Sequence, residues 1–463
     1  MKRRTILDVQ KIRKQFPSIQ KGRIVTNNAA STQPPEKLIK LYNSLSPDYE
    51  NVHRGQSTAS KKITILFEDA YDTIADFINA PSRKNIILYK NATEAINSVM
   101  YSLLTDFRNG DNIVLTMMEH NSNYVPWYGM CKEILPKFGM NVEYRIVNFD
   151  RETGELDLQH MASLIDNKTK LVCCSGASNF LGTKNAIKKI KELADNSGYK
   201  QPNGEQRSYL LVDGAQLVPS TYVDVQKLDI DFLAFSFHKM LAPFGVGVLY
   251  AKEHILQSSL PFLYGGDMIA EGQVFRDHVS YNVLPWKYAA GTPNILGAIV
   301  SAQALRILLD LTFNPGNDIY FNSHKKLEQA AIKEAMDKVT QYTSQLTQRA
   351  LENFRGIPGI KIYGPKDASK RCPLVSFNIE GRDAFNLAEA LNEGGVESRA
   401  GCHCATLAHH YLQIDPPASC RLSFYIYNTL DEIDVAAETL MNIVNNKTIA
   451  RKSLWGKILK KYL

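Results

Sequence analysis

Phe232-Leu233-Ala234-Phe235-Ser236-Phe237-His238-Lys239 runs from four apolar residues into a polar end that closes on a lysine. An apolar run of this length reads as a strand buried on both faces. Beyond it, Leu241-Ala242-Pro243-Phe244-Gly245-Val246-Gly247 is a glycine-bearing turn into a further apolar run. A solvated charge is poorly placed at the end of a core strand after Ser-x-His. An amine that forms a Schiff base with a carbonyl cofactor is well placed there. Taken alone, the lysine is equally an ordinary strand end. Upstream, Leu210-Leu211-Val212-Asp213-Gly214-Ala215-Gln216 is a second buried strand, ending in an acid. A Schiff-base lysine with an aspartate facing a pyridinium nitrogen is the pair that pyridoxal phosphate needs.

Working outward, apolar strands are predicted at 85–89, 112–117, 142–147, 171–175, 209–213, 232–235 and 245–250, with helical patterns such as 93–104 and 187–195 between the early ones. Strand–helix alternation with near-continuous apolar strands predicts an α/β fold built on a mostly parallel seven-stranded sheet. Such sheets bind ligands at the carboxyl ends of their strands. Thr93 and Glu94, His120, Ser178 and Asn179, Asp213 and Gln216, and Ser236, His238 and Lys239 all fall at or just beyond such ends. Structural residues have no reason to collect on one edge. The turn Lys90-Asn91-Ala92-Thr93-Glu94 enters a helix, and its first amides with the Thr93 hydroxyl suit a phosphate. Asn91 or Thr93 as a plain helix cap is compatible with that.

The chain of 463 residues is long for one core. An N-terminal segment, 1–30, is expected to pack with a small domain, its helix 9–16 stopped by Pro17. A large α/β domain follows at 31–310, then a long charged linking helix at 311–350 broken near Pro315, then a small α+β domain at 351–463. In the last, strands are predicted at 360–363, 374–379 and 422–426 and helices at 383–392 and 430–444. Residues 197–208 read as a polar surface loop, and 262–294 as an excursion from the sheet.

Of the formal charge of +7, six positive charges lie in residues 445–463, which hold no acid. A near-neutral body argues against nucleic-acid binding. The tail reads as a docked terminal helix, or an amphipathic one for a membrane surface or partner. No uninterrupted apolar run is long enough for a membrane span, and no apolar stretch follows Met1-Lys2-Arg3-Arg4, so a cytoplasmic protein is expected. Seven cysteines in a chain of this length are not a disulfide framework. Cys173 and Cys174 belong to a strand; Cys402 and Cys404 lie in the loop Arg399-Ala400-Gly401-Cys402-His403-Cys404-Ala405. The loop reads as a mobile carrier of a nucleophilic thiolate, activated by Arg399 or His403. A metal site assisted by His409 and His410 is the rival, although no cysteine pair at zinc-finger spacing supports it; no metal is expected. Arg421, just before a strand, has a fork suited to a substrate carboxylate, or to an ion pair between domains.

With these residues in hand, the chain resembles the class V aminotransferase superfamily of fold-type I pyridoxal phosphate enzymes, above all the SUF-type cysteine desulfurases and their selenocysteine lyase relatives. The motifs are Asn-Ala-Ala-Ser (28–31), Val-His-Arg-Gly (52–55), Thr-Glu-Ala-Ile-Asn (93–97), Met-Glu-His-Asn-Ser-Asn (118–123), Ser-Asn-Phe-Leu-Gly-Thr (178–183), Val-Asp-Gly-Ala-Gln (212–216), Ser-Phe-His-Lys (236–239), Ala-Gly-Thr-Pro-Asn (290–294), Arg-Ala-Gly-Cys-His-Cys-Ala (399–405) and Cys-Arg-Leu-Ser (420–423). The resemblance implies that Lys239 holds the cofactor and shuttles the Cα proton, Asp213 pairs the ring nitrogen, Gln216 the ring hydroxyl, and His120 stacks on the ring. Thr93, Ser236 and His238 would hold the phosphate, with Thr292 reaching in from the other subunit of a homodimer. Asn179, Arg421, Arg399, Ala30 and His53 would serve the substrate. Asn27, Lys90-Asn91-Ala92, Asn121, Phe237, Ala242 and Cys402 depart from the family's usual residues.

The implied reaction turns L-cysteine into L-alanine, with sulfur held as a Cys404 persulfide and passed to an acceptor protein for iron–sulfur or thio-cofactor assembly. Cys402 would resolve that persulfide or close a redox switch with Cys404. A selenocysteine lyase, or a non-catalytic scaffold on the same fold, are the alternatives. Activity on selenocysteine that survives Cys404→Ala marks the first, and absence of bound cofactor the second.

Overall fold

The computed structural model describes residues 7–20 and 22–446, so the basic tail from Lys447 onward lies outside the described residues. The central sheet is formed by β1 (Ile86–Tyr89), β2 (Asn112–Thr116), β3 (Glu143–Val147), β4 (Thr169–Ser175), β5 (Tyr209–Asp213), β6 (Phe232–Ser236) and β7 (Gly247–Ala251). Their order is β1-β7-β6-β5-β4-β2-β3. Every pair is parallel except those made by β7, which runs antiparallel to both β1 and β6. All seven predicted strands form.

Their sequences explain why. In β4, β5 and β6 every residue is buried. Successive residues enter different cores: Val172, Leu210 and Leu233 point to one, and Leu171, Leu211 and Phe232 to the other. Each fully buried aliphatic side chain contributes roughly 1.5–3 kcal/mol, so a one-residue slip would be costly on both faces.

A second sheet holds β8 (Ile360–Tyr363), β9 (Leu374–Ile379), β10 (Arg399–Gly401) and β11 (Ser419–Ser423), in the antiparallel order β8-β9-β11-β10. The strand expected at 422–426 lies three residues earlier. Phe424, Tyr425 and Ile426 are apolar and buried, but their backbone leaves the ladder. Phe424 N–H donates to Pro373 O at 2.8 Å, and Tyr425 N–H to Asn428 Oδ1 at 2.8 Å. Burial alone does not distinguish a strand from a packed turn.

The linker also differs from expectation. One helix, Ile295–Phe313, begins well before the charged run, and a second spans Gln329–Arg355. Between them, the Asp310 carboxylate accepts from the N–H groups of Ile319, Tyr320 and Phe321 at 2.9–3.0 Å, which replaces helical bonding there. Among the described residues, Ile295–Phe313 is the one helix long and apolar enough to cross a membrane, and it is wholly buried inside the protein. Residues 262–294 carry an exposed hairpin, Ile269–Val274 with Val279–Tyr281.

At the N-terminus, Pro17 begins a second short helix, Pro17–Gln20, instead of merely stopping the first, Val9–Arg13; proline is preorganised for a first helical position. Arg13 reaches Glu432 at 2.7 Å and Tyr427 O at 2.6 Å. Ile24–Val25 pairs in parallel with Val396–Glu397. Asn27 then bridges in parallel to Ser423 of β11, so the segment meets the second sheet before it crosses to the first.

Candidate active site

The carboxyl ends of β4, β5 and β6 open into a cavity of about 240 Å³ lined by Thr93, His120, Asn179, Asp213, Gln216, Ser236, His238, Lys239, Arg399, Arg421 and Ala30, among others. Eleven of the residues singled out from the sequence therefore share one space. They come from distant parts of the chain, and local hydrogen bonds explain how each is held.

Lys239 sits on a single 3-10 turn, Phe237–Lys239, directly after β6. The small-residue segment 27–32 clamps that turn. Thr32 N–H donates to His238 O at 2.9 Å, and Leu241 N–H donates to Thr32 Oγ1 at 2.7 Å. Leu241 is buried in a left-handed conformation, φ +70°, which costs an L-residue about 1–2 kcal/mol. Burial lowers the Lys239 amine to about 8; Arg421 and Arg399 push the same way, and Asp213 opposes them. Burial in turn holds the Asp213 carboxyl above its ordinary range, against a 3.0 Å bond from Ala215 N–H. Gln216 donates to Ala29 O at 2.7 Å, tying β5 to the same clamp.

His120 is the residue before the turn Asn121–Asn123, and its Nδ1 accepts from Ser122 N–H at 3.0 Å. The ring proton is thus on Nε2. Burial, with Lys239 and the two arginines, holds His120 down to about 3, so the ring is neutral. Near the helix Ala92–Leu103, Asn91 caps Glu94 N–H at 3.0 Å and Ser236 Oγ accepts from Ala92 N–H at 2.8 Å. Two of the amides expected to meet an anion are therefore already bonded. The hydroxyl hydrogen of Ser236 remains for a ligand, and Thr93 Oγ1 pairs with Ser122 Oγ at 2.6 Å. His238 is lowered by burial to about 4, so its ring is neutral. β7 begins with Gly247 because a Cβ there would stand 2.3 Å from the Asn91 carbonyl carbon.

At the opposite end, Arg421 and Arg399 are cross-strand partners on β11 and β10. Like charges directly opposite are destabilising, so the pair calls for an anion. Arg421 donates through Nη1 to Asn179 O at 2.7 Å, while its buried Nε and Nη2 have no partner, nor has Asn179 Oδ1. Nε and Nη2 form the side of a guanidinium that grips a carboxylate in a bidentate fashion.

The cysteine loop is not a loose strap. Ala405 N–H closes a turn on Cys402 O at 2.8 Å, with His403 at φ +52° and Cys404 at φ +57°. Asn121 N–H donates to Cys404 O at 2.7 Å and Asn179 Nδ2 to His403 O at 2.6 Å. Both thiols are free and partly exposed. His403 lines the cavity; neither Cys402 nor Cys404 does. Burial first, then Arg421, holds the His403 imidazole well below its ordinary range, so His403 is not the cation expected to activate a thiol. His409 uses both ring nitrogens, at 3.0 Å to Ala405 O and 3.0 Å to Ser419 Oγ, and has none left for a metal ion.

Two residues stand elsewhere. His53 lies tilted at 58° against Trp286, ring centres 4.4 Å apart, and faces Glu68, in a separate cavity. Thr292 lines another with Lys90 and Glu94. Reasoning from the sequence missed Glu119, fully buried and bonded to Thr116, Asn123 and Ser175. Its signal was an acid directly after Val114-Leu115-Thr116-Met117-Met118. Burial pushes that carboxyl up to about 7.

A lysine and an acid at adjacent strand ends share this cavity with the 91–93 turn and an unpartnered guanidinium edge. The chain belongs to the class-V aminotransferase family, whose sequence profile (Aminotransferase class-V) matches residues 24–334 and 328–435. Within it, the similarities run to desulfurases. A probable cysteine desulfurase of Halobacterium salinarum is 36% identical, covering 92% of this chain and 94% of its own. A cysteine desulfurase of Haloferax volcanii is 36% identical, covering 94% and 96%. An apo cysteine desulfurase structure from Thermococcus onnurineus superposes with a TM-score of 0.81 at 28% identity, covering 95% and 98%.

Proposed function

We propose that this chain is a pyridoxal phosphate-dependent cysteine desulfurase that converts L-cysteine to L-alanine and carries the released sulfur on Cys404. The observation that carries this reading is the Asp213–Lys239 pair and the unpartnered Arg421 fork opening on one cavity. The residues present fit the cofactor. A free Ser236 hydroxyl hydrogen, Thr93 and His238 suit its phosphate, and Asp213 its ring nitrogen. Orphaned donors on Arg421 and the orphaned Asn179 Oδ1 call for a further polar ligand.

When bound, the cofactor supplies an electron sink for charge developing at the substrate's Cα. Lys239, with an amine near 8, would hold the cofactor and, when free of it, would take the proton from the substrate's Cα. Asp213 holds the ring nitrogen in its cationic form. Neutral His120 covers the ring face and keeps water from it. Arg421 and Asn179 orient the substrate by its carboxylate, with Arg399 and Ala30 alongside. Cys404 stands next to His403, which lines the cavity, and its thiolate would attack the substrate sulfur at the cavity's mouth; the electron pair of the broken sulfur–carbon bond stays with carbon, which takes up protons to give alanine, and the sulfur stays on Cys404 as a persulfide.

The working form in this reading is a homodimer, in which Thr292 and His53 belong to a shared site. Sulfur leaves for an acceptor protein serving iron–sulfur or thio-cofactor assembly, in a reducing cytoplasm that keeps both loop thiols free.

Purified protein given L-cysteine and a reductant should form alanine and sulfide in equal amounts. Cys404→Ala should lose this turnover and keep the visible absorbance of bound cofactor; Lys239→Ala should lose both. A colourless wild-type protein after incubation with the vitamer, or full turnover by Cys404→Ala, would sink the proposal.

A further inference from the structure

The turn Asn121–Asn123 is a junction. Its Ser122 N–H fixes His120 through Nδ1 at 3.0 Å, its Ser122 hydroxyl meets Thr93 at 2.6 Å, and its Asn121 N–H holds the Cys404 carbonyl at 2.7 Å. The ring-face histidine, the anion turn and the sulfur-carrying loop therefore all take their places from three consecutive residues. What places the turn itself is Glu119. One carboxyl oxygen accepts from Ser175 N–H at 2.9 Å and from the Thr116 hydroxyl; the other accepts from Asn123 Nδ2 at 2.7 Å and the Ser175 hydroxyl at 2.8 Å. Asn123 is in turn oriented by Trp127 Nε1–H, which donates to its Oδ1 at 3.3 Å. Ser175 closes β4 and lines the cavity.

We infer that Glu119 is a positioning residue for the desulfuration, setting His120 and the Cys404 loop in one rigid unit against the floor of the cavity. The inference rests on the desulfurase reading above. Glu119 touches neither the cavity nor Cys404; it acts through Asn123 and Ser175. Arg421, which grips the substrate, stands on a different sheet and makes no bond to Glu119 or to the turn Asn121–Asn123; its nearest link to them is indirect, through Asn179 and the His403 carbonyl. Loss of Glu119 should therefore slow the chemical step and spare substrate binding.

The hydrogen-bond polarity supplies the test. Both oxygens face a group that can only donate, Ser175 N–H on one side and the Asn123 amide on the other. Glu119→Gln sets two donors against each other in either amide orientation. Turning Asn123 over to compensate would set its amide nitrogen against Trp127. The reversed pair Glu119→Gln with Asn123→Asp keeps acceptors for Ser175 N–H and Trp127 Nε1–H and gives the amide introduced at position 119 an acceptor at position 123, at unchanged net charge, while the Ser175 hydroxyl turns to accept. Relative to wild type, E119Q should keep the cofactor's absorbance band and a KM for L-cysteine within about two-fold. Its kcat per bound cofactor should fall about ten- to a hundred-fold, the scale of a small misplacement of reacting groups. The reversed pair should regain most of it. Where E119Q does not fold, Asn123→Ala carries the same kcat-against-KM comparison. An unchanged kcat per bound cofactor, a loss explained by cofactor content alone, or no recovery in the reversed pair overturns the inference. A wild-type protein that forms no alanine instead overturns the desulfurase reading beneath it.

Discussion

At position 239 the amine is held where it is most useful. An ordinary lysine is almost wholly protonated at neutral pH and cannot attack an aldehyde; burial and two nearby guanidinium groups bring Lys239 to about 8. The free amine is the reactive form, so covalent loading of the apo-protein with pyridoxal phosphate should accelerate from pH 6 to 8 and level off above that. Asp213 raises the Lys239 value. Asp213→Asn should move the plateau to lower pH, and the growth of absorbance after mixing measures both. A rate still climbing through pH 10 would mean an unperturbed lysine.

Among the elements, the close contact of β7 with the anion turn has the sharpest consequence. Gly247→Ala would push a methyl group to 2.3 Å from the Asn91 backbone. Overpacking of this kind costs about 1–3 kcal/mol, which carried into cofactor affinity is about five- to a hundred-and-fifty-fold. Titration should show weaker binding of pyridoxal phosphate and little change for pyridoxal, which lacks the phosphate; equal losses for both would place the damage in the fold. Elements were legible in the sequence where burial is two-sided and continuous, as in β4 to β6, and polar residues at strand ends marked the cavity's edge. Legibility stopped where long-range partners decide. The turn after Ser423 depends on Pro373, the left-handed pair His403–Cys404 on Asn121 and Asn179, and the role of Glu119 on Ser175. No local pattern records such pairings.

For the molecule as a whole, the hairpin region leaves Leu263, Tyr264, Val274, Phe275 and Val283 between 49% and 69% exposed. Apolar surface clustered like this suits the contact between two copies of the chain proposed above. Sedimentation should accordingly give the mass of two chains, and a hairpin variant with Val274 and Phe275 changed to serine should shift toward one chain and lose turnover; full turnover by a monomer would remove Thr292 and His53 from the site. The N-terminal clamp carries a different implication. Residues 24–32 brace the lysine turn, yet they are themselves seated on Val396–Glu397 and Ser423. The pocket's first wall and its footing are separated along the chain, Ala29 bonding to Ser423 across 394 residues, so a nascent chain has to emerge past Ser423 before it can retain vitamin B6.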